Sequence, residues 1–99
     1  MTNLSSPLIL LHPDDNVFVL REDIETGQIL NIDGQSVTAI AALIVGHKIA
    51  RTDLKAGQKI YKYGAPIGSM TSNVLTGEHV HLHNMKSDYI STHTRKVTG

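Results

Sequence analysis

The octet DIETGQIL at Asp23–Leu30 returns as DLKAGQKI at Asp53–Ile60 and as NVLTGEHV at Asn73–Val80. A weaker fourth copy, ALIVGHKI, occupies Ala42–Ile49. The shared pattern is Asp or Asn, an aliphatic residue, two variable residues, Gly, a polar residue, and then a return to apolar alternation. Asp and Asn accept backbone N–H bonds at the start of a helical turn, and Gly adopts the left-handed conformation that reverses the chain. The pattern predicts a short helical turn in each octet, followed by a strand.

The spacing of the octets indicates an internal duplication. The first and second octets begin 30 residues apart, and the fourth and third begin 31 residues apart. We interpret residues 23–49 and 53–80 as two related halves that fold about a pseudo-twofold axis. The alternative is that Gly-containing turns before strands recur by chance.

The rest of the chain predicts a mainly β fold. Apolar runs at residues 8–11 and 16–20 flank the turn-forming tetrad His12–Asp15, which indicates a hairpin or a sharp corner. Asp33-Gly34 is a tight hairpin signal. The clearest strand is Glu78–His83, because its apolar and histidine residues alternate. The short apolar run before Gly46 fits either helix or strand, and the repeat favours a helical turn at Ala42–Val45.

Length and composition limit the possible functions. A chain of 99 residues fits one domain, which we assign to residues 1–86, with residues 87–99 as a polar tail or linker. Nine basic residues balance nine acidic ones, so nothing indicates a nucleic-acid partner. The chain has no cysteine, and its longest apolar run is far shorter than the roughly 20 residues of a membrane span. No secretory signal is visible at the N-terminus, and we expect a cytoplasmic protein with no membrane partner.

The segment His79-Val80-His81-Leu82-His83 carries the strongest chemical signal. Alternate side chains of a strand lie on one face, so the three imidazoles would follow one another at steps of about 6.6 Å. Neighbouring imidazoles at that spacing can converge on one metal ion, whereas all three need a bend in the chain. Neutral imidazole suits Zn, Fe, Mn or Ni. The alternative is a polar strand face that points into solvent.

Three further residues are candidates for the same site. If the two halves are related by a twofold axis, the position of His47 in its octet lies beside the histidine segment. It could serve as a metal ligand, a general acid or base, or a plain surface residue. Lys62 and Tyr63 could bind an anion through an ammonium group and a hydroxyl group, or they could be ordinary surface residues.

Several of these motifs together resemble a known family. They are His47-Lys48-Ile49-Ala50, Asp53–Gly57, Lys62-Tyr63-Gly64, Ile67-Gly68 and Gly77–Asn84, with Asp15-Asn16-Val17 upstream. The combination resembles the small SAF-type N-terminal domain of altronate and galactarate dehydratases, over about residues 9–86. The resemblance implies a β-clip fold. It also implies a hydro-lyase that removes water from a hydroxylated sugar acid with a divalent metal, which could be Fe, Mn, Zn or Mg.

The resemblance also implies partners and residue roles. In many relatives this domain is fused to a much larger catalytic domain, and sulfolactate sulfo-lyases carry it as a separate subunit. We therefore expect a large catalytic subunit or domain as partner, with a homo-oligomer also possible. The expected roles are His81 and His83 at the metal, His47 and His79 as catalytic acid or base, and Lys62, Tyr63 and Asn84 at the substrate.

Two functions of different classes remain open at this stage. The first is the small component of a sugar-acid dehydratase, or of the related sulfo-lyase. The second is a non-catalytic module that binds a carbohydrate or an anion.

Overall fold

The computed structural model describes residues 6–88, which form nine β-strands and no helix. No segment in this range could therefore cross a membrane as a helix. The mainly β fold expected from the sequence is confirmed. In chain order the strands are β1 (Leu8–Ile9), β2 (Val17–Leu20), β3 (Ile29–Ile32), β4 (Gln35–Thr38), β5 (Lys48–Ala50), β6 (Lys59–Lys62), β7 (Ala65–Met70), β8 (His79–Val80) and β9 (Met85–Ser87).

A central antiparallel sheet separates two hydrophobic cores. Its strands lie in the order β1-β2-β5-β8. Paired residues of neighbouring strands share a face, and successive residues alternate between faces. Phe18 pairs with Ile49 in the first core, whereas Val17 pairs with Ala50 in the second. The β3–β4 hairpin covers the first core, and the three-stranded sheet β6-β7-β9 covers the second.

The two cores contain equivalent residues of the two halves. Each residue of the first core that comes from an octet has a counterpart in the second core, 30 or 31 positions later: Ile24 and Leu54, Leu30 and Ile60, Ile49 and Val80. The exposed fraction of each of these six residues is 2% or less. This correspondence supports the duplication inferred from spacing, because a chance recurrence of turns would not reproduce the packing.

The octets form β-bridges and β-turns, and the prediction of helical turns is wrong. The second residues of paired octets form bridges, Ile24 with Leu43 and Leu54 with Val74. In every octet the N–H of the sixth residue donates to the carbonyl of the third, as in His47 to Ile44 at 3.3 Å. The glycine between them has φ of +88 to +94°, which a type II turn requires at that position. A type II turn reverses the chain within four residues, so no helix is needed before the strand.

The first residue of an octet stabilises the turn of the partner octet. Asp53 Oδ1 accepts the backbone N–H of Thr76, and Asn73 Oδ1 accepts that of Ala56. In the other pair Asp23 Oδ1 accepts the N–H of Val45. We call this contact the cross-octet clasp. The reverse clasp of that pair is absent because the fourth octet begins with Ala42, which has no side-chain acceptor.

Two equivalent hairpin loops extend from the cores. Asp33-Gly34 joins β3 to β4, which confirms that hairpin, and Tyr63-Gly64 joins β6 to β7. Both residues of each loop have positive φ, as a type I′ turn requires. The buried Asp15 carboxylate accepts the N–H groups of Tyr63 and Gly64 at 3.0 and 2.8 Å. The corner before β2 therefore fixes the position of the second loop.

The chain around His12–Asp15 forms the predicted corner, because β1 pairs antiparallel with β2. At the other end, packed structure continues beyond the expected domain boundary at Lys86. Ser87 belongs to β9, and the Asp88 carboxylate accepts hydrogen bonds from Lys59 and Ser69. The rest of the predicted tail, residues 89–99, lies outside the described residues.

Restoring the missing clasp should stabilise the protein. We expect Ala42→Asn to raise the free energy of unfolding by about 0.5–1 kcal/mol, because the new carboxamide can accept the backbone N–H of Thr26. The urea midpoint at constant m measures this gain. The matched control is Ala41→Asn, one exposed residue away and outside the clasp. An equal gain in both variants would show that the clasp is not its source.

The Asp53 clasp should be lost in acid. Its hydrogen bonds with the backbone and side chain of Thr76 lower the pKa of Asp53 below the usual value. Its stabilising effect is therefore complete above the unfolded-state pKa of about 4, and disappears as the pH falls through the lower folded-state pKa. We expect Asp53→Ala to destabilise the protein at pH 6 and to have little effect near pH 2. A pH-independent deficit, or the same profile for the exposed Glu22→Ala, would contradict this assignment.

Candidate functional site

Three histidines lie together where β5 and β8 pair. The register joins Ile49 to His79 and Lys48 to Val80. Continued by one residue, it sets His47 opposite His81. Because side chains alternate along a strand, His47, His79 and His81 share the face of the sheet that carries Ile49.

The imidazoles are in direct contact. His47 Nδ1 and His79 Nε2 are 3.0 Å apart, which is a hydrogen bond between one protonated and one unprotonated nitrogen. The ring centroids are separated by 4.9 Å for His47 and His79, 5.1 Å for His47 and His81, and 5.3 Å for His79 and His81. Each ring offers one nitrogen within 4.8 Å of the other two. We call these three residues the histidine triad.

The histidine segment bends after Val80, so the predicted strand over Glu78–His83 is wrong. Only His79–Val80 is strand, and a turn at residues 81–84 follows. Asn84 holds this turn, because its Oδ1 accepts the N–H of His81 and its Nδ2 donates to the carbonyl of His79. Asn84 is only 5% exposed. Both polar ends of its side chain are engaged in the turn, and its assignment to substrate stays a prediction.

The bend returns His83 to the site. Its ring centroid lies 5.2 Å from that of His79, at the side of the triad. His83 does not belong to the group of nitrogens that could share one ion, whereas His47 does. The geometry therefore groups His81 with His47 and His79, and the sequence had grouped it with His83.

His47 is free to join the triad because it does not stabilise its own turn. In the other three octets the sixth residue accepts the N–H of the third through its side chain: Gln28 from Glu25, Gln58 from Lys55, and Glu78 from Leu75. The fourth octet has His47 in this place, and its ring contacts His79. This departure from the repeat was a signal in the sequence that pointed to His47.

Two members of the triad, His79 and His81, have lowered pKa values, which favours their neutral forms. Burial is the main cause that lowers the pKa of His79 to about 4, and the neighbouring histidines and Lys48 lower it further. Burial, His47, Lys48 and His83 also lower the pKa of His81. No carboxylate is among the groups that shift either pKa. Neutral imidazole has the free lone pair that binds a metal ion.

The donor set fits a borderline transition metal better than magnesium. Three imidazole nitrogens suit Zn, Fe, Co or Ni, whereas Mg²⁺ prefers oxygen ligands. Ligands of a tetrahedral zinc ion lie about 3.3 Å apart. The nitrogens of His47 and His79 are already near this separation. His81 has to approach by up to about 1.5 Å, which is a side-chain rotation.

An open groove begins beside the triad. His79, His83 and Asn84 line it together with the apolar side chains of Ile40 and Leu43. Its volume of about 270 Å³ is at the lower limit of small-molecule sites, which usually have about 300–1,000 Å³. The groove therefore brings a small ligand within reach of His79 and His83 but does not enclose it.

Lys62 and Tyr63 lie at the β6–β7 loop, on the side of the second core. The Lys62 ammonium is 5.6 Å from the centre of the Tyr63 ring, which is 67% exposed. Burial and the Lys62 charge lower the pKa of Lys48, a residue that sequence analysis missed. Lys48 also acts on His79 and His81. Lys48 pairs with Val80 and so lies on the other face of the sheet from the triad, and neither loop residue lines the groove.

Comparison with known proteins agrees with this architecture. Residues 6–88 match the family model described as the altronate/galactarate dehydratase SAF domain. Altronate dehydratases of Escherichia coli (strain K12) and Bacillus subtilis (strain 168) are each 39% identical over 80 residues, which is 81% of this chain and 16% of the relative. The chain therefore spans about one sixth of the length of these relatives.

A third relative is a subunit that this chain matches over nearly its whole length. The (2R)-sulfolactate sulfo-lyase subunit alpha of Chromohalobacter salexigens is 33% identical over 91 residues, which cover 85% of this chain and 97% of that subunit. The family match covers every described residue, including the histidine triad, the turn at Asn84 and both hairpin loops. This chain belongs to the family of altronate/galactarate dehydratase SAF domains.

Proposed function

We propose that this chain is the SAF component of a metal-dependent hydro-lyase that dehydrates a sugar acid such as altronate or galactarate. Catalysis would need a large catalytic subunit or domain in addition. The histidine triad, of which His79 lines the groove, is the observation that carries this proposal, because it can hold a metal ion next to a small polar substrate. The names of the dehydratase relatives support the reaction class.

Dehydration of a sugar acid makes two chemical demands. A weakly acidic proton beside the carboxylate has to be removed, and the departing hydroxyl group has to be protonated. A metal held by His47, His79 and His81 would supply Lewis acidity toward the carboxylate or the hydroxyl group. This proposal changes the expected roles of His47 and His79 from proton carriers to ligands, because their nitrogens face each other.

His83 is the residue that we assign to proton transfer. It lines the groove and contacts His79, yet it stands outside the group of nitrogens that could share one ion. An imidazole nitrogen can accept or donate a proton, so His83 can take a proton from the substrate or give one to it. Lys62 and Tyr63 stay proposed contacts for the substrate carboxylate or hydroxyl groups, and Lys48 is a third candidate on the same side.

A sulfo-lyase subunit is the second candidate function. The relative in Chromohalobacter is a whole subunit that this chain matches over 97% of its length. The two functions share the removal of a proton beside a carboxylate and differ in the leaving group. Turnover of sulfolactate with release of sulfite, and none of altronate or galactarate, would favour the second candidate. Binding of these acids by the assembled protein without turnover would favour a non-catalytic module.

The cytoplasmic location and a homo-oligomeric state stay predictions from the sequence. Neither is needed for the proposed chemistry. The large catalytic partner is needed, because the groove alone does not enclose a substrate.

Metal binding tests the triad directly. We expect the purified chain to bind one Zn²⁺ or Co²⁺ ion, and excess Mg²⁺ not to displace it. His47→Ala and His81→Ala should each weaken binding at least tenfold, as measured by isothermal titration calorimetry and by the visible spectrum of bound Co²⁺. The matched control is His12→Ala, because the His12 ring accepts the Asp14 N–H and packs on Gly64, away from the triad.

His83→Ala distinguishes the two possible ligand sets. It should change the dissociation constant by less than threefold if the triad holds the ion. A large loss in His83→Ala together with none in His47→Ala would instead support His81 and His83 as the ligands.

Turnover of the assembled enzyme tests the proton carrier. We expect His83→Gln to lower kcat more than tenfold while the metal content stays at one ion per chain, because the amide cannot carry a proton at neutral pH. Lys62→Met should act mainly on KM, because it would remove a charge that binds the substrate. Unchanged kcat in His83→Gln would eliminate His83 from the reaction.

A further inference from the structure

Five large apolar side chains are exposed around the histidine triad and the groove. Ile44 and Val45 lie in the turn that ends at His47, and Leu75 lies in the turn before His79. Leu82 lies in the turn that Asn84 holds, and Ile40 lines the groove. Their exposed fractions are 67% for Ile40, 61% for Ile44, 54% for Val45, 61% for Leu75 and 75% for Leu82. We call these five residues the apolar collar.

The internal duplication provides a control for this exposure. Ile44 and Leu75 are equivalent third positions in the turns that lead to the histidines. The third positions of the other two turns are Glu25 and Lys55, both exposed and charged. The same backbone turn therefore accepts a charged residue without difficulty. At the third position, apolar residues occur only in the two turns beside the site, so the fold of the turn does not explain them.

Exposed apolar residues that surround an open site indicate a surface that a partner covers. The altronate dehydratases contain this domain as 16% of their length, so most of each relative is a further body that could provide the cover. A second copy of this chain could also bury the collar, because a twofold dimer joins the same patch of both subunits. We favour the further body because the dehydratase relatives have all but 16% of their length outside this domain.

We propose that the apolar collar is the docking surface for the catalytic part of the dehydratase, and that docking closes the groove over the triad. This inference rests on the proposed function, because the occupant is the rest of that enzyme. The docked partner would bury the collar and supply the wall that the open groove lacks. The collar residues would contribute affinity and would not touch the reacting atoms.

Hydrogen–deuterium exchange of the native assembly tests the surface. The assembly is purified through an affinity tag on this chain at its chromosomal gene, which works for a fused or a separate partner. We expect peptides that contain the turns at residues 44–47, 75–78 and 81–84 to exchange at least tenfold more slowly in the assembly than in the isolated chain. Peptides that contain the turns at residues 25–28 and 55–58 should exchange at equal rates.

A designed pair of variants tests the collar residues. Ile44→Glu with Leu75→Lys copies the residues of the equivalent turns and should leave the melting temperature and metal affinity of the isolated chain unchanged. In the assembly, the amount of catalytic chain bound by the double variant should be at least tenfold lower than that bound by the parent. When the two parts are fused, the exchange protection should fall at least tenfold instead. The matched control is Glu25→Lys with Lys55→Glu, which should assemble like the parent.

The outcomes separate this inference from the proposed function. The docking role of the collar would be wrong if the turns at residues 25–28 and 55–58 were protected instead, or if the double variant assembled normally. Either result would leave the proposed function intact. If the parent assembly contains only copies of this chain and turns over none of altronate, galactarate and sulfolactate, then both the docking role of the collar and the proposed function are wrong.

Discussion

The fold depends on the pairing of octets across the molecule. Each pair is joined by a β-bridge between aliphatic residues, and three of the four turns are held by a carboxylate or carboxamide group of the partner octet. These contacts fix the turns that open β5 and β8, and those strands carry His47 and His79. A site made of three rings in contact needs such control, because a displacement of 1 Å separates ligands that share one ion.

The site lies where the repeat departs from its own pattern. The fourth octet has Ala42 where the others have Asp or Asn, and His47 where the others have Gln or Glu. Ala42 leaves the turn at residues 25–28 without a clasp. His47 leaves its own turn without the side-chain hydrogen bond that Gln28, Gln58 and Glu78 accept in theirs. The third octet keeps its Glu78 for the turn and supplies His79 one residue later. Within residues 6–88, the duplication is therefore accompanied by one histidine triad and not two.

Much of the fold could be predicted from the sequence. The octets, the duplication, the corner at His12–Asp15 and the Asp33-Gly34 hairpin follow from local patterns of apolar and turn-forming residues. The prediction of helical turns was wrong because an Asp or Asn before a Gly turn has two possible uses. Its side chain can cap its own turn, or it can contact a turn that is distant in the sequence. Only the tertiary structure decides between these two uses, since the partner residue is about 20 positions away.

The sequence singled out the four histidines that the structure brings together, but it grouped them differently. Alternation after Gly77 pointed to the histidines, yet it also predicted a straight strand. The side chain of Asn84 bends the chain after Val80, and a single Asn in a polar segment gives no sign of this role. Lys48 was missed because its importance comes from burial and from neighbouring charges, which local sequence does not reveal.

The weak restraint on the turn at residues 44–47 has a mechanical consequence. Its closing hydrogen bond is 3.3 Å long, against 2.9–3.0 Å in the other three turns, and His47 does not make the side-chain contact to the third residue that Gln28, Gln58 and Glu78 make. Of the side-chain contacts, it keeps the clasp from Asp23. Local opening should therefore begin at this turn. An ion that bridges His47 and His79 would act as a brace across it, so loading the site would stiffen the part of the molecule that is otherwise softest.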